Sequence, residues 1–144
     1  MAFYVNFNDI EVGHKLPTVE KAPVTKTQLV RYAGASGDFN PLHTDDAVAQ
    51  KAGLKGVIAQ GPLIMGFMGQ AITRWVSRRH LQRFQVRFKG MTFPGDIISI
   101  SATVAEKAKE GQNLRILCHT EAKDQKGEIK LTGQFEVLYP VDRA

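Results

Sequence analysis

Two acid–base side chains lie close together in one short polar loop. Asp38 and His43 flank the dipeptide Asn40-Pro41, and a turn there would let one water molecule contact both side chains. A carboxylate and an imidazole can divide the proton transfers that adding water to an activated double bond requires. The pattern also has a structural interpretation, because Asp before a turn is often an Asx-turn residue. Pro41 biases Asn40 toward an extended conformation, so we expect no helix in this loop.

The tripeptide Gln60-Gly61-Pro62 lies at the start of a predicted helix. The first N–H groups of a helix have no internal partner and can stabilise negative charge that develops on an oxygen. Pro62 has no N–H, whereas Gly61 has one and lets a carbonyl group come close. Gly61 is equally well explained as a residue that a tight helix start needs. Its N–H is therefore a candidate oxyanion donor with a structural alternative.

Helices must position both features. Thr25 and Gln28 have the capping-box pattern of a first helix, which ends near Gly34–Gly37. A short helix is predicted over Asp46–Lys51. A long helix over about 62–76 is apolar nearly all round, which is typical of a buried helix.

The second half of the chain has the period of two that strands show. Phe84, Val86 and Phe88 alternate with polar residues, and further strands are predicted over 97–108, 114–123 and 128–139, with residues 109–112 as a turn. Turns this short favour antiparallel neighbours. Residues 5–24 predict one or two irregular strands. The fold class is therefore α+β, an antiparallel sheet against one long buried helix.

Composition points to one ordinary domain over residues 1–144. The 144 residues are 43% hydrophobic and 23% charged, and the single Cys118 cannot form an internal disulfide. No Cys/His cluster has zinc spacing, and no apolar stretch reaches the roughly 18 residues of a membrane span. We therefore expect a cytoplasmic protein without metal or membrane association.

The loop and the helix start together resemble one family. The run Tyr32–His43 contains Gly-Asp-x-Asn-Pro-x-His and is followed by Asp45 and later by residues 58–63, Ile-Ala-Gln-Gly-Pro-Leu. These motifs resemble those of the MaoC-like, (R)-specific enoyl-CoA hydratases and 3-hydroxyacyl dehydratases. Arg87-Phe88 and Pro94-Gly95-Asp96 match the family's later strand and turn. The resemblance implies a hot-dog fold, in which a curved antiparallel sheet wraps around a long central helix.

The resemblance also implies roles for the matching residues. Asp38 and His43 would hold and activate water, the N–H of Gly61 would contact the thioester oxygen, and Asn40 would orient the loop. The implied reaction is reversible syn addition of water to a trans-2-enoyl thioester, giving the (R)-3-hydroxyacyl thioester, with no cofactor. The implied substrates are thioesters of coenzyme A or acyl carrier protein, and the implied assembly is a homodimer or a heterodimer with a related subunit.

Charge is distributed unevenly along the chain. The net charge is +5, and residues 47–95 contain no Asp or Glu but eight Lys and Arg residues. This stretch is interpreted as a solvated face, a site for a phosphate-bearing ligand or a surface for an acidic partner. No nucleic-acid-binding pattern accompanies it. We expect the pantetheine and phosphates of a substrate to approach Arg87, Lys89 or other basic residues near the dimer edge, and the acyl tail to run near Gly66 and Gly69.

One departure from the family pattern and two alternative functions stay open. Many relatives have His-Gly-Met where this chain has Gln60-Gly61-Pro62, so the oxyanion geometry is expected to differ. A hot-dog thioesterase typically has an acidic residue on the central helix, and residues 62–77 contain none. A non-catalytic subunit that binds acyl thioesters is the other alternative. The presence of both Asp38 and His43 argues against it.

Overall fold

Capping residues set both ends of the first helix. The computed structural model describes residues 4–142, and its first helix, α1, spans Lys26–Ser36. The N–H of Gln28 donates to Thr25 Oγ1 at 3.1 Å. At the other end Gly37 adopts φ 77°, a left-handed conformation that favours glycine, and its N–H donates to the Ala33 carbonyl at 2.9 Å. The helix therefore ends abruptly, just before the Asp38 loop.

Two more helices follow where the sequence predicted them. Helix α2 spans Asp46–Lys51, and the carboxylate of Asp45 caps it by accepting from two backbone N–H groups. Helix α3 spans Gly61–Trp75, so it begins and ends one residue earlier than predicted. Most of α3 is buried, at Ile64, Phe67, Met68, Ala71, Ile72 and Trp75. Single 3-10 turns occur at Pro41–His43 and Arg78–His80.

Five strands form one antiparallel sheet. They are β1 (Val19–Glu20), β2 (Leu81–Phe88), β3 (Ser99–Glu110), β4 (Asn113–Lys123) and β5 (Ile129–Pro140). Their spatial order is β1-β3-β4-β5-β2, and every pair is antiparallel. Strand β2 follows α3 in the chain after the 3-10 turn at Arg78–His80 and lies at one edge of the sheet.

Two strand predictions need correction. The turn predicted over 109–112 is only two residues long, because Gly111 takes up a positive φ of 61° and Glu110 still pairs with Asn113. Between residues 4 and 24 only Val19–Glu20 forms a strand, and Lys15 adds an isolated bridge to Thr103. A continuous strand is interrupted there by Pro17, which has no N–H to donate.

The two faces of the sheet differ in character. The inner face packs its apolar side chains against α3, where Trp75 stacks on Phe135 with ring centroids 6.2 Å apart. The outer face is mainly polar and includes Gln85, Ser101, Thr103, His119, Glu121 and Gln134. A curved antiparallel sheet around one long buried helix is the hot-dog arrangement, so the predicted fold is confirmed. Within residues 4–142, no helix has the length and apolarity needed to cross a bilayer.

Candidate active site

The end of α1 presents Asp38 in a fixed turn. The N–H of Asp38 donates to Ser36 Oγ at 3.2 Å, and the N–H of Asn40 donates to Asp38 Oδ1 at 3.2 Å. The second contact is the Asx turn that the structural interpretation of this residue predicted. It uses only one carboxylate oxygen. Asp38 Oδ2 points to His43 and stays available for chemistry.

A 3-10 turn brings His43 back to Asp38. Asn40 is extended, as predicted, but Pro41–His43 form one turn of 3-10 helix, so the expectation of a wholly non-helical loop was wrong. The side-chain oxygen of Asn40 accepts from the Leu42 N–H at 3.1 Å and caps this turn. Pro41 is tolerated at its first position because its missing N–H would have no partner there. This hydrogen bond agrees with the expected role of Asn40 in orienting the loop.

The imidazole of His43 is held through one nitrogen. Its Nδ1 lies 2.7 Å from the carbonyl oxygen of Ile58. A carbonyl can only accept, so Nδ1 carries the hydrogen, and in the neutral ring Nε2 has a free lone pair. Nε2 lies 3.4 Å from Asp38 Oδ2. The His43 side chain is only 12% exposed, whereas that of Asp38 is 44% exposed, so the pair opens to solvent on the carboxylate side.

With the ring neutral, two hydrogen-bond acceptors face one another. Nε2 of His43 and Oδ2 of Asp38 then cannot satisfy each other unless a proton lies between them. A water molecule beside them can donate one hydrogen to each acceptor, which leaves its oxygen lone pairs directed elsewhere. An arrangement of this kind can bind and activate water.

A short extended segment joins His43 to the start of α3. The N–H of Ile58 donates to the Leu42 carbonyl at 3.1 Å, and the N–H of Ala59 donates to the Thr92 carbonyl at 2.8 Å. The segment thus lies between the loop that contains His43 and the loop that follows β2. The first turn of α3 begins three residues after Ile58, whose carbonyl contacts His43.

The start of α3 has one available backbone donor beside a buried amide. Gly61 is the first residue of the helix, so its N–H has no intrahelical acceptor, and Pro62 has no N–H. Gln60 is buried, and its Nε2 donates to the Leu29 carbonyl at 3.0 Å, which ties α3 to α1. Its Oε1 has no hydrogen-bond partner among the residues that the structure describes.

An aromatic side chain from β2 covers Gly61. A Cβ atom on Gly61 would lie 2.9 Å from Phe88 Cε1, closer than real Cβ contacts allow. Phe88 is nevertheless 53% exposed, so its ring covers the first turn of α3 and is itself accessible to solvent. Phe84 covers Gly69 more loosely, since a Cβ atom on Gly69 would lie 3.7 Å from Phe84 Cε1, while Gly66 has open space. Gly66 and Gly69, the glycines predicted to border the acyl tail, therefore differ in how closely other side chains approach them.

The two predicted basic residues lie in different surroundings. Arg87 lies on the outer face of the sheet with Glu121 and Thr132, opposite to the face that packs on α3. Lys89 is exposed just after β2, and its N–H donates to the Lys130 carbonyl at 2.9 Å. Within one chain Arg87 is therefore not brought beside Asp38 and His43. Contact of either residue with a ligand stays a prediction.

The sequence analysis missed three features of the structure around this site. The contact of Ile58 with His43 is made by a backbone carbonyl. Every residue type has one, so the sequence gives no sign of this contact. The contact of Phe88 with Gly61 depends on how β2 lies against α3, although the alternation of β2 had placed Phe88 on the inner face. The sequence analysis did not single out Lys130, which is 2% exposed.

Comparison with known proteins identifies relatives over most of the chain. The family described as "MaoC like domain" matches residues 7–125. A curated 3-hydroxybutyryl-CoA dehydratase from Methylorubrum extorquens is 28% identical over 136 residues, which cover 93% of this chain and 83% of that protein. Two other curated relatives are much longer proteins, of which the chain spans only 6% and 12%.

Solved structures agree with the fold. The R-hydratase PhaJ1 from Pseudomonas aeruginosa is 27% identical and superposes with a TM-score of 0.79, covering 93% of this chain and 84% of that one. A structure titled monoamine oxidase regulatory protein, from Archaeoglobus fulgius, is 31% identical with a TM-score of 0.79 and covers 99% of both chains. The names of the dehydratase and the R-hydratase agree with the predicted class of enzyme, a lyase.

Proposed function

The chain belongs to the MaoC-like dehydratase family, and from that premise we propose that it catalyses reversible hydration of trans-2-enoyl thioesters to (R)-3-hydroxyacyl thioesters. The observation that carries the proposal is the pair of acceptors, His43 Nε2 and Asp38 Oδ2, 3.4 Å apart with the imidazole tautomer set by Ile58. A site that accepts one hydrogen bond from each O–H group of a water molecule suits an enzyme that adds water.

The proposed reaction conserves atoms and charge. The water oxygen forms a bond to C3 of the enoyl thioester while one member of the Asp38/His43 pair removes a proton from that water. The electron pair of the C2–C3 double bond moves toward the thioester carbonyl, and C2 then takes up a proton from the protonated pair. The reverse sequence removes water from the hydroxyacyl thioester.

Negative charge on the thioester oxygen needs a donor at the other side of the substrate. The N–H of Gly61, at the positive end of the α3 dipole, is the proposed donor. Pro62 contributes no second N–H from the following position. The buried amide of Gln60 is directed to α1 through Nε2, so it supports the helix start.

The remaining parts of the proposal follow the family. The acyl group is carried by coenzyme A or acyl carrier protein, and the protein works as a homodimer or as a heterodimer with a related subunit. No further cofactor takes part in the proposed reaction. One MaoC-like domain over residues 1–144 and a cytoplasmic location stay predictions.

Loss of enoyl-thioester absorbance tests the proposal. Purified protein is mixed with crotonyl-CoA and with a longer trans-2-enoyl-CoA, alongside Asp38→Asn and the control Asp142→Asn, an exposed aspartate near the end of β5. Asparagine at position 38 can still accept from the Asn40 N–H, so the turn is kept. We expect turnover that Asp38→Asn reduces about 100- to 10,000-fold and Asp142→Asn leaves unchanged.

Chiral analysis of the product completes the test. Formation of the (R)-3-hydroxyacyl thioester is expected. Equal turnover by Asp38→Asn and the wild type would contradict the assigned pair. Absence of turnover with coenzyme A and acyl carrier protein substrates alike, in folded protein, would favour the alternative of a non-catalytic acyl-thioester-binding subunit.

A further inference from the structure

Lys130 is a buried cation outside the proposed reaction. It lies near the start of β5 with 2% exposure, and its Nζ donates to the Met91 carbonyl at 2.6 Å. The carboxylates of Asp124 and Glu128 each lie 3.3 Å from the same Nζ. Burying an ammonium and a carboxylate together costs solvation energy that their attraction often fails to repay. A purely stabilising role therefore explains Lys130 poorly.

The buried carboxylate is firmly held in its charged form. Burial alone would raise the pKa of Asp124, but the backbone N–H groups of Glu128 and Lys126 and the Lys130 ammonium outweigh that effect and hold the pKa below its usual range. The turn between β4 and β5 thus presents a fixed negative charge that keeps the Lys130 side chain in one place.

Main-chain and side-chain groups of Lys130 hold the same short loop. Its carbonyl accepts from the N–H groups of Lys89 at 2.9 Å and Gly90 at 3.2 Å, while its Nζ donates to the carbonyl of Met91. Gly90 has no room for a side chain, because a Cβ there would lie 3.0 Å from the Ile129 carbonyl oxygen. The loop after β2 is therefore pressed against β5 at three consecutive residues.

This loop is connected to the imidazole through two backbone contacts. Thr92 follows Met91 directly, and its carbonyl accepts from the Ala59 N–H at 2.8 Å. Ala59 follows Ile58, whose carbonyl accepts from His43 Nδ1 at 2.7 Å. Adjacent residues and hydrogen bonds thus link the Met91 carbonyl to the Ile58 carbonyl.

We infer that Lys130 is a positioning residue for the Asp38/His43 pair. By fixing the Met91 carbonyl, it keeps the Ile58 carbonyl where it selects the Nδ1–H form of His43 and leaves Nε2 unprotonated toward Asp38. The inference rests on the proposed function for its effect on catalysis. Its effect on the imidazole itself can be measured without any substrate.

The experiment compares two buried lysines that hold backbone carbonyls. Lys130→Met removes the ammonium but keeps an unbranched apolar side chain. The matched control is Lys107→Met, because Lys107 is also largely buried, donates to the carbonyls of Ile10 at 2.7 Å and Asn8 at 3.2 Å, and lies 3.5 Å from a Glu11 carboxylate oxygen. Lys130→Arg keeps the charge and serves as the conservative variant.

Two readouts separate positioning from stability. In the full-length protein, ¹⁵N NMR of the imidazole nitrogens reports the tautomer of His43, and steady-state kinetics report kcat and KM. For Lys130→Met we expect a shift of the His43 signals away from the Nδ1–H pattern and a kcat reduced about 10- to 100-fold with little change in KM. Lys130→Arg should recover much of both, and Lys107→Met should lower Tm while leaving both readouts at wild-type values.

Some outcomes would overturn the inference. An unchanged His43 spectrum in folded Lys130→Met would do so, and so would equal loss of kcat in the two methionine variants. If Lys130→Met does not fold, the double variant Asp124→Asn/Lys130→Met carries the same test, since it leaves no unpaired Asp124 carboxylate. A wild-type protein without hydratase activity would contradict the proposed function, while the NMR comparison would still decide the role of Lys130.

Discussion

The Nδ1 of His43 lies 2.7 Å from the carbonyl oxygen of Ile58, fifteen residues further along the chain. This contact decides which nitrogen carries the hydrogen in the neutral imidazole, so that in this form the side facing Asp38 is an acceptor. The carbonyl belongs to an extended segment that leads directly into α3. The tautomer of His43 and the position of the proposed oxyanion donor are thus set by one stretch of backbone.

Replacement of His43 should abolish most of the activity without unfolding the protein. His43→Gln keeps a polar side chain but cannot exchange a proton near neutral pH, so we expect kcat to fall about 100- to 10,000-fold. The control is His119→Gln, on the exposed outer face of β4. Steady-state kinetics with enoyl-CoA, and circular dichroism to verify folding, measure both. Similar kcat values for the two variants would show that His43 has no special role.

A side chain at position 61 should displace the ring of Phe88. In Gly61→Ala the new methyl group meets the half-exposed ring at 2.9 Å, and we expect a loss of about 1 kcal/mol in unfolding free energy together with reduced kcat. Phe88→Leu should remove most of the stability cost of Gly61→Ala, which a double-mutant cycle by urea unfolding measures.

The same helix offers a control for that cycle. Gly66 has open space, so Gly66→Ala should stabilise α3 by up to about 1 kcal/mol through helix propensity alone. Additive effects of Gly61→Ala and Phe88→Leu would mean that the ring does not restrict this position.

The thiol of Cys118 should not react with thiol reagents in the native state. Burial raises the pKa of its thiol to about 12, so almost no thiolate exists at pH 8, and the inner face of β4 shields the sulfur. We expect Ellman's reagent to label the protein only after denaturation, at one thiol per chain. Rapid labelling of the folded protein at pH 8 would contradict this placement.

Asp124 should contribute stability that disappears in acid. Its folded pKa lies below the usual aspartate value because three donors outweigh its burial, so the folded state holds this proton less tightly than the unfolded chain does. The contribution is then complete above the unfolded pKa of about 4 and is lost as the pH falls through the lower folded pKa. Urea unfolding between about pH 6 and pH 3 should show a weaker pH dependence for Asp124→Asn than for the wild type. Parallel curves would refute the assignment.

The central helix shows how far local patterns determine this fold. The apolar run from Ile64 to Trp75 and the proline at position 62 predicted α3 to within one residue at each end. The capping pattern of Thr25 similarly predicted the start of α1, and for α2 the sequence left two candidate caps, Thr44 and Asp45, of which the structure shows Asp45. Such features depend on hydrogen bonds and side-chain periodicity within a few residues, which the sequence states directly.

The functional residues divide in the same way. By itself, the sequence determined the chemical types in the site, because Asp38, Asn40 and His43 lie in one loop whose turn residues bring them together. Only the tertiary structure decided the Ile58 contact, the ring of Phe88 over Gly61, the outward position of Arg87 and the burial of Lys130. Each of these joins segments between fifteen and about forty residues apart, or depends on which face of a strand meets α3. A contact of this kind arises from how whole elements pack against each other. The local sequence pattern around either residue therefore does not predict it.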